Sequence, residues 1–289
     1  MKCRNSNCSN DKAPDRGECH SCRGKRRRGT SYQTKFVSNE GPRILFIDIE
    51  TYPNLVWAWD SQLWTGHISI DQIEEPGGLF CFSAKWYGDE ETLFYSLWDD
   101  GERRMFDAAW YLMDEADIIV HYYGSRFDVP HLNAEGLRLG MAPPSPFKQV
   151  DLKIGVSRRF KLPSNKLQFV SQVLGLEGKE EHEGFRLWSK AMKGDIDARN
   201  RMRSYNERDT ILLEECYEAL LPWLPDHPNR RLYSGTGGCP RCGHENTMSE
   251  AGFAYTKLSK YQQFRCNLCN SVFRGSRRLG GVDLQDSML

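Results

Sequence analysis

The placement of the cysteines constrains this chain more than any other feature of its sequence. Eight of the ten cysteines form two groups of four, one near each end. Each C-x2-C turn can present two thiolates to one tetrahedral Zn²⁺, so two such turns complete a coordination shell. Gly243 and Asn270 each follow such a turn and tolerate the positive φ that these turns favour. The sequence therefore predicts a zinc site near the C-terminus, with the spacing C-x2-C, 23 residues, C-x2-C, at Cys239, Cys242, Cys266 and Cys269.

The residues between these two pairs indicate a small β module. Residues 253–255 and 261–264 have the composition of short strands, and Val272 and Phe273 can fill a small core. The segment resembles a zinc ribbon, which we expect over residues 229–279, followed by a tail at 280–289. A pair of disulfides is the alternative, and the lack of a visible secretion signal disfavours it.

The N-terminal cysteines have a less regular spacing, C-x4-C, ten residues, C-x2-C, and His20 is a competing ligand. Fewer than about 40 residues bury little core, so a metal is the expected source of stability. We predict a second zinc module over residues 1–29, followed by a linker at 30–42, with the ligands Cys3, Cys8, Cys19 and Cys22. A basic run follows the module and suits phosphate contacts, although a solvated linker also explains it. The run consists of Arg23, Lys25, Arg26, Arg27 and Arg28.

Charge is distributed in three unlike parts although the formal net charge is zero. Residues 1–43 hold 11 Lys and Arg against 4 Asp and Glu, and residues 229–289 hold 9 against 4. Residues 44–228 hold 19 against 31. Basic ends suit a polyanionic partner and an acidic middle suits divalent cations, so the neutral total does not exclude nucleic acid. No apolar run approaches the ~18–20 residues of a membrane span, and we expect no membrane partner.

The acidic middle begins with an apolar segment that carries two carboxylates. Residues 43–51 are rich in β-branched residues, which predicts a buried strand. Asp48 and Glu50 lie two residues apart, so both point to the same face of that strand. Carboxylates on a central strand are costly to bury unless a cation compensates them. Taken alone, such a pair is more often an ordinary strand end than a metal site.

Two later segments carry further acidic side chains. Residues 117–132 predict a strand, a turn at Gly124 and Ser125, and a helix that begins near Asp128. Asp128 would therefore lie near the C-terminal end of a strand, where open α/β sheets usually keep their sites. Residues 195–221 have helical periodicity, and Tyr205 and Asp209, four residues apart, share a face. Alone, such a pair is usually a surface hydrogen bond.

In order and residue type, these three segments resemble the DEDD superfamily of 3′–5′ exonucleases, in its tyrosine-bearing branch. Asp48 and Glu50 match the first motif, Asp128 the second, and the segment from Tyr205 to Asp209 the third. The resemblance covers residues 44–224 and is closest to YprB-like exonucleases and to the proofreading domains of B-family polymerases. It implies an α/β fold with an RNase H-like mixed sheet flanked by helices, over residues 43–228.

The resemblance also implies a mechanism. The four carboxylates would hold two Mg²⁺ or Mn²⁺ ions about 3.5–4 Å apart, one activating the attacking water and one stabilising the departing 3′ oxygen. Asp48 would bridge the ions. Tyr205 would orient the water rather than abstract its proton, because a free tyrosine has a pKa of about 10. The products would be nucleoside 5′-monophosphates. Tyr123 departs from the motif, which usually has Asn there, and this departure bears on how the substrate strand is held.

We therefore predict a metal-dependent 3′–5′ exonuclease that acts on DNA or RNA with a single-stranded 3′ end. Its two structural zinc modules would bind the substrate or a partner such as a replication or repair protein. Two alternatives stay open: a non-catalytic, nucleic-acid-binding zinc adaptor and a structure-specific endonuclease. Arg158 and Arg159 would line a nucleic-acid groove or simply solvate a helix. Such a nuclease fits the cytoplasm of a bacterial or phage-infected cell.

Several other side chains have ordinary structural explanations. We expect Cys81 and Cys216 to be buried, inert thiols, His121 to be a hydrogen-bonded strand histidine, and Asp151 to cap a helix. Six tryptophans are expected in the core rather than as base-stacking platforms: Trp57, Trp59, Trp64, Trp86, Trp98 and Trp110.

Overall fold

The computed structural model describes residues 41–60, 66–177, 183–224, 226–235 and 237–282. The predicted N-terminal zinc module, its basic run and most of the linker lie outside these ranges, as does Trp64. Within the ranges, no helix is both long enough and apolar enough to cross a membrane.

Five strands form the central sheet. In chain order, they are β1 (Ile44–Tyr52), β4 (Gly78–Trp86), β5 (Thr92–Ser96), β6 (Ile118–His121) and β7 (Lys148–Asp151). Their spatial order is β5-β4-β1-β6-β7, with β1 antiparallel to β4 and parallel to β6. A separate hairpin of β2 (Leu55–Val56) and β3 (Ile73–Glu75) follows β1. The sheet is therefore mixed, as predicted.

Helices cover both faces of this sheet. They are α1 (Leu97–Glu115), α2 (Asp128–Arg138), α3 (Leu152–Arg159), α4 (Leu167–Val173), α5 (Phe185–Met192), α6 (Ile196–Leu220) and α7 (Arg231–Ser234). In the sequence, the apolar stripe of Met105, Phe106, Ala109, Trp110 and Met113 predicts a helix over 103–114, as periodicity does over 195–221. In α1, Ser96 caps a first turn by accepting the Asp99 N–H, and Gly101, with a φ of 75° and a ψ of 159°, separates this turn from the longer helix that follows.

Side chains along β1 alternate between the two faces of the sheet, and this alternation decides which helix faces Asp48 and Glu50. Leu45, Ile47 and Ile49 are buried in the core that α1 and α2 complete. Ile44 and Phe46 are buried on the opposite side, against residues of α6. Because Asp48 and Glu50 continue the even-numbered series, they lie on the α6 side of the sheet.

Buried polar contacts fix the position of α6 on this sheet. The Ser83 hydroxyl donates to the Asn206 carbonyl at 2.7 Å and also contacts the Thr210 hydroxyl. One helical turn further along, Lys85 forms an ion pair with Glu214. Since buried polar groups are costly without partners, these contacts penalise any other register of the helix.

The C-terminal residues form an antiparallel sheet of β8 (Met248–Tyr255), β9 (Ser259–Cys266) and β10 (Val272–Gly281). The preceding turn packs against the end of α6, where the Arg241 Nη1 donates to the Leu221 carbonyl at 3.0 Å. The two predicted strands are confirmed, and β10 adds a third. Because β10 extends to Gly281, it includes the first two residues of the predicted tail.

The tryptophans divide between core and surface. Trp110 is buried at 5% exposure, as predicted, and Trp86 and Trp98 are partly buried. The prediction is wrong for Trp57 and Trp59, which are 69% and 99% exposed. Strand β2 ends at Val56 and pairs with the short β3, so these residues lie outside the central sheet. Cys81 and Cys216 are fully buried, as expected.

His227 makes stability depend on pH. The Tyr217 hydroxyl lies 2.7 Å from its Nε2, and its Nδ1 lies 2.7 Å from the Pro228 carbonyl, which requires the proton on Nδ1. Burial lowers the pKa of His227 to about 4. The unfolded chain, with a pKa of about 6.5, therefore binds this proton first as pH falls. We expect this group to cost about 3 kcal/mol of unfolding free energy between pH 7 and pH 4.

Urea unfolding of the protein and of the variant His227→Gln, from pH 8 to pH 4, measures this effect. The stability of the variant should depend less steeply on pH below about 6.5, so the two curves converge toward acid. A difference between the curves that stays constant over this range would contradict the assignment.

Candidate active site

The two β1 carboxylates lie under the N-terminal half of α6. The Asn206 Nδ2 donates to the Asp48 Oδ2 at 2.7 Å and to the Asp48 carbonyl at 3.2 Å. Asn206 is fully buried, whereas Asp48 and Glu50 are partly exposed. Sequence reasoning missed Asn206 as a site residue. Its signal was a polar residue on the buried stripe of α6, one position after Tyr205.

Asp128, from the second predicted segment, also contacts β1. It is the first residue of α2 and is 5% exposed. Its Oδ1 accepts the N–H of Ile49, the residue between Asp48 and Glu50, at 3.1 Å. Burial raises the pKa of Asp128 to about 7, although the hydrogen bond from Ile49 opposes this shift. Two of the three predicted segments are thus joined by a direct hydrogen bond.

The turn before Asp128 depends on Asp151. As predicted, Asp151 caps α3, by accepting the Ile154 N–H. The structure adds a second role, because its carboxylate also accepts the Tyr123 N–H at 3.0 Å and the Ser125 hydroxyl at 2.6 Å. Tyr123 has a φ of 72°, a conformation that Asn tolerates better than Tyr. Tyr123 therefore has a backbone conformation that would suit the Asn expected at this position from the resemblance.

Gly124 is required by close packing in the same turn. A Cβ atom there would lie 2.7 Å from the Asp128 Oδ2 and 2.6 Å from the His121 Cγ. His121 is fully buried, and its Nε2 lies 3.0 Å from the Gln149 Oε1, which confirms a hydrogen-bonded strand histidine. These contacts leave no room for a side chain at residue 124, so the turn between β6 and α2 requires glycine there.

Tyr205 and Asp209 are both buried on α6, at 6% and 2% exposure. The ring of Trp188 lies edge-on to the Tyr205 ring, with centroids 6.3 Å apart. Burial raises the pKa of Tyr205, and the negative charges of Asp209, Glu50 and Asp48 raise it further. The pair is therefore not a surface hydrogen bond, and the phenol stays neutral near neutral pH.

The predicted acidic residues meet the chemical requirement for a divalent cation but are not drawn into a tight cluster. All four offer hard oxygen ligands, which Mg²⁺ and Mn²⁺ prefer. Two of them, Asp128 and Asp209, are almost fully buried, where a carboxylate is costly without a compensating charge. Among described residues, only the cysteine group has three or more ligand atoms within 4.8 Å of one another. The donor set thus fits such ions in type, and Asp48, Glu50, Asp128 and Asp209 are the residues that would hold them.

The four C-terminal cysteines form a second site. Their sulfur atoms all lie within 4.8 Å of one another, and two of the separations are 3.7 Å and 3.8 Å. Tetrahedral zinc with Zn–S bonds of about 2.3 Å requires S–S distances of about 3.8 Å. All four thiols are free rather than paired in disulfides. The group, Cys239, Cys242, Cys266 and Cys269, is therefore compatible with zinc.

The two turns of this site have the predicted conformation. Gly243 and Asn270 have φ values of 82° and 60°, so both adopt the left-handed conformation expected after each cysteine pair. Burial opposes ionisation of Cys266, but hydrogen bonds with the Thr247 hydroxyl and the Cys269 N–H lower its pKa to about 6. Burial raises the pKa of Cys239 and of Cys242, so ionisation of these two thiols depends on the metal ion that the thiolates would bind.

The remaining predicted nucleic-acid ligands on described residues lie at the surface. Arg158 and Arg159 occupy the last turn of α3, and the Arg158 guanidinium forms an ion pair with Asp226 at 3.0 Å. Both side chains are exposed, so their contact with nucleic acid stays a prediction. The predicted ligands at Cys3, Cys8, Cys19 and Cys22 and the basic run from Arg23 to Arg28 lie outside the described residues.

Comparison with known families agrees with this architecture. The sequence model of the RNase_H superfamily matches residues 72–221. The chain belongs to the RNase H superfamily. The match begins after β1, so it includes Asp128, Tyr205 and Asp209 but not Asp48 or Glu50. Membership in this superfamily supports a nuclease whose substrate is nucleic acid.

A solved structure is also similar to this RNase H-superfamily protein. It is the family B DNA polymerase from the hyperthermophilic archaeon Pyrobaculum calidifontis, with 19% sequence identity and a TM-score of 0.46. The similarity covers 67% of the present chain but only 26% of the polymerase chain. No curated protein sequence matches the chain.

Proposed function

We propose that the protein is a metal-dependent 3′–5′ exonuclease of the DEDD type, in its tyrosine-bearing branch. The observation that carries the proposal is the hydrogen bond from Ile49 to Asp128 at 3.1 Å, next to the contact of Asn206 with Asp48 at 2.7 Å. Together they connect residues from all three motif segments around the same part of β1. The presence of all four carboxylates and of Tyr205 counts against an inactive adaptor.

The residues of the chain would contribute position and charge. Asn206 holds one oxygen of Asp48, and the Ile49 N–H holds one oxygen of Asp128. Tyr205, whose pKa is raised chiefly by burial, stays protonated and can donate its hydroxyl hydrogen. We therefore assign Tyr205 the orientation of the attacking water rather than proton abstraction.

The reaction would be hydrolysis of the last phosphodiester. The water oxygen bonds to phosphorus, the bond from phosphorus to the 3′ oxygen breaks, and that oxygen takes up a proton. The products are a nucleoside 5′-monophosphate and a strand shorter by one residue. Bound Mg²⁺ or Mn²⁺ ions supply positive charge that stabilises the phosphate and promotes ionisation of water. Asp48, Glu50, Asp128 and Asp209 would hold these ions.

We further propose that the four C-terminal cysteines bind a structural zinc ion, in a zinc ribbon over residues 229–279, beside the nuclease domain of residues 43–228. The sulfur separations of 3.7 Å and 3.8 Å support a closed tetrahedral site. An all-cysteine shell leaves no position for substrate, so this ion would stabilise the fold rather than take part in hydrolysis.

Replacing Tyr205 with Phe tests its assigned role. We expect kcat to fall about 10- to 100-fold with little change in KM, because the hydroxyl would act on the water rather than on the strand. Tyr217→Phe is a matched control, since Tyr217 is also a buried tyrosine of α6 but hydrogen-bonds His227 instead. Equal activity of Tyr205→Phe and the unaltered protein would remove Tyr205 from the mechanism.

Product analysis tests the proposed function itself. The protein is incubated with single-stranded DNA or RNA and Mg²⁺ or Mn²⁺, and the products are separated by chromatography. The proposal predicts nucleoside 5′-monophosphates from the earliest times. Discrete oligonucleotides would instead indicate an endonuclease, and tight binding without cleavage under either metal would indicate an adaptor.

A further inference from the structure

The C-terminal sheet has one face that is rich in arginine. Side chains alternate along β9, so Tyr261, Gln263 and Arg265 share one side of the sheet. Pairing with β10 places Arg278 opposite Tyr261 and Arg274 opposite Gln263. Because directly paired residues lie on the same side of a sheet, all five side chains belong to one surface. We call Tyr261, Arg265, Arg274 and Arg278 the arginine face.

The opposite side of this sheet is the one that packs against the rest of the protein. Phe264 and Phe273 are paired there, and Met248 is paired with Cys266. Met248 and Phe273 pack against the apolar cluster that contains three of the four cysteines. The arginine face therefore points away from this core, and its three arginines are exposed.

The charge on the arginine face is not compensated within the described part of the chain. Residues 248–281 contain six Lys and Arg and one acidic residue, Glu250. Glu250 is paired with Phe264, so it lies on the opposite side. Arg265, Arg274 and Arg278 form no ion pair with another described residue. A dense positive patch of this kind attracts polyanions.

Tyr261 gives the face a flat centre. The Arg274 guanidinium lies 4.3 Å from the centroid of its ring. Guanidinium groups bind phosphates in a fork-like geometry, and they stack on aromatic rings and bases. One guanidinium, that of Arg274, lies over the ring, whereas Arg265 is four residues further along β9. Val272, paired with Arg265, is an exposed apolar side chain of the same face, but the charged groups outnumber it. A strand of nucleic acid fits this chemistry better than an acidic protein does.

We infer that the arginine face binds the phosphate backbone of the nucleic-acid strand. This inference rests on the proposed function only for the choice of ligand, because it concerns binding of the strand rather than its cleavage. It gives the C-terminal module a binding role in addition to its cysteine site. The face would hold a strand through the guanidinium groups of Arg265, Arg274 and Arg278.

Binding of a fluorescein-labelled 20-nucleotide oligo-dT by the full chain tests the inference. Fluorescence anisotropy is followed over a series of salt concentrations without divalent ions, so binding is measured separately from cleavage. For Arg274→Ala with Arg278→Ala, we expect about 25-fold weaker binding at 0.1 M salt. The slope of log K against log salt should fall in magnitude by about 1.4, since each phosphate contact on a single strand contributes about 0.7.

Lys257→Ala with Lys260→Ala is the matched control, because it removes two positive charges from the same C-terminal module. Lys257 lies in the turn before β9, and Lys260 lies over Phe253 on the opposite side. This control should bind within about 3-fold of the unaltered protein, and Arg274→Lys with Arg278→Lys should restore most of the salt slope. The alanine variant should keep its zinc content, which shows that the module is intact.

Three results would overturn the inference. The alanine variant could bind the oligonucleotide as tightly as the unaltered protein, or the lysine control could lose as much affinity as the arginine variant. Equal affinity of the face for a poly-glutamate peptide of matched charge would instead assign it to an acidic protein partner. A protein that binds through this face but cleaves nothing would contradict the proposed function and leave the inference standing.

Discussion

Replacing Asp48 with Ala is expected to reduce hydrolysis by about 10³-fold or more, which corresponds to about 4 kcal/mol of transition-state stabilisation. Asp48 lies on the central strand and is held by Asn206 through two contacts. By the proposed mechanism, it is one of the four carboxylates that would hold the metal ions. Its loss would remove both charge and alignment, and no neighbouring carboxylate on β1 occupies the same position.

Two further variants separate chemistry from stability. Asp48→Ala removes the carboxylate acceptor of the buried Asn206 amide and leaves it only the longer bond to the residue 48 carbonyl, which costs about 1 kcal/mol of folding stability. Asp48→Asn keeps an oxygen for that amide but removes the charge, so it should fold normally and remain inactive. Glu207→Gln is the control. Glu207 lies on α6 beside Asn206 and forms a surface ion pair with Arg203, so its replacement should leave full activity. Substantial activity in Asp48→Asn would contradict the assigned role.

Replacing Cys266 with Ser is expected to have the largest effect on stability. Cys266 is buried and ends β9, so losing its metal would uncouple the C-terminal sheet from its turns. Metal binding contributes directly to folding in small modules, and we expect a loss on the order of 5 kcal/mol within this module. Zinc content should fall by one ion per chain, from the two that the cysteine pattern predicts.

Metal analysis and amide hydrogen exchange measure this effect. Exchange should accelerate across β8, β9 and β10 in the variant, while the central sheet stays protected. Cys216→Ala is the matched control, because Cys216 is equally buried but lies in the core of α6. Unchanged zinc content and unchanged protection in Cys266→Ser would contradict a metal site at these cysteines.

Local patterns predicted much of the fold. The apolar run around Asp48 predicted β1, because alternation and composition are properties of the strand itself. The spacing of Tyr205 and Asp209 likewise predicted a shared helix face. The order of the sheet and its position under α6 are not local properties. They depend on contacts such as Ser83 with Asn206, which join residues more than 120 positions apart.

The candidate site likewise combines features that a single segment predicts with features that depend on contacts between distant segments. Sequence motifs indicated five candidate site residues, which lie on three separate segments. They did not indicate Asn206 or the second role of Asp151, because neither function is visible in a segment considered alone. Asn206 acts through Asp48 on another strand, and Asp151 holds the turn at Tyr123 and Ser125 from β7. The exposed Trp57 and Trp59 were missed because tryptophan composition does not show where a strand ends.

The polarity of cleavage tests the central claim most directly. One single-stranded oligonucleotide is labelled at its 5′ end in one sample and at its 3′ terminal nucleotide in another, and both are incubated with the protein and Mg²⁺ or Mn²⁺. A 3′–5′ exonuclease should release the 3′ label at once as a mononucleotide, while the 5′ label descends through a ladder of shortening strands. Early release of the 5′ label, or fixed internal fragments in both samples, would contradict the account.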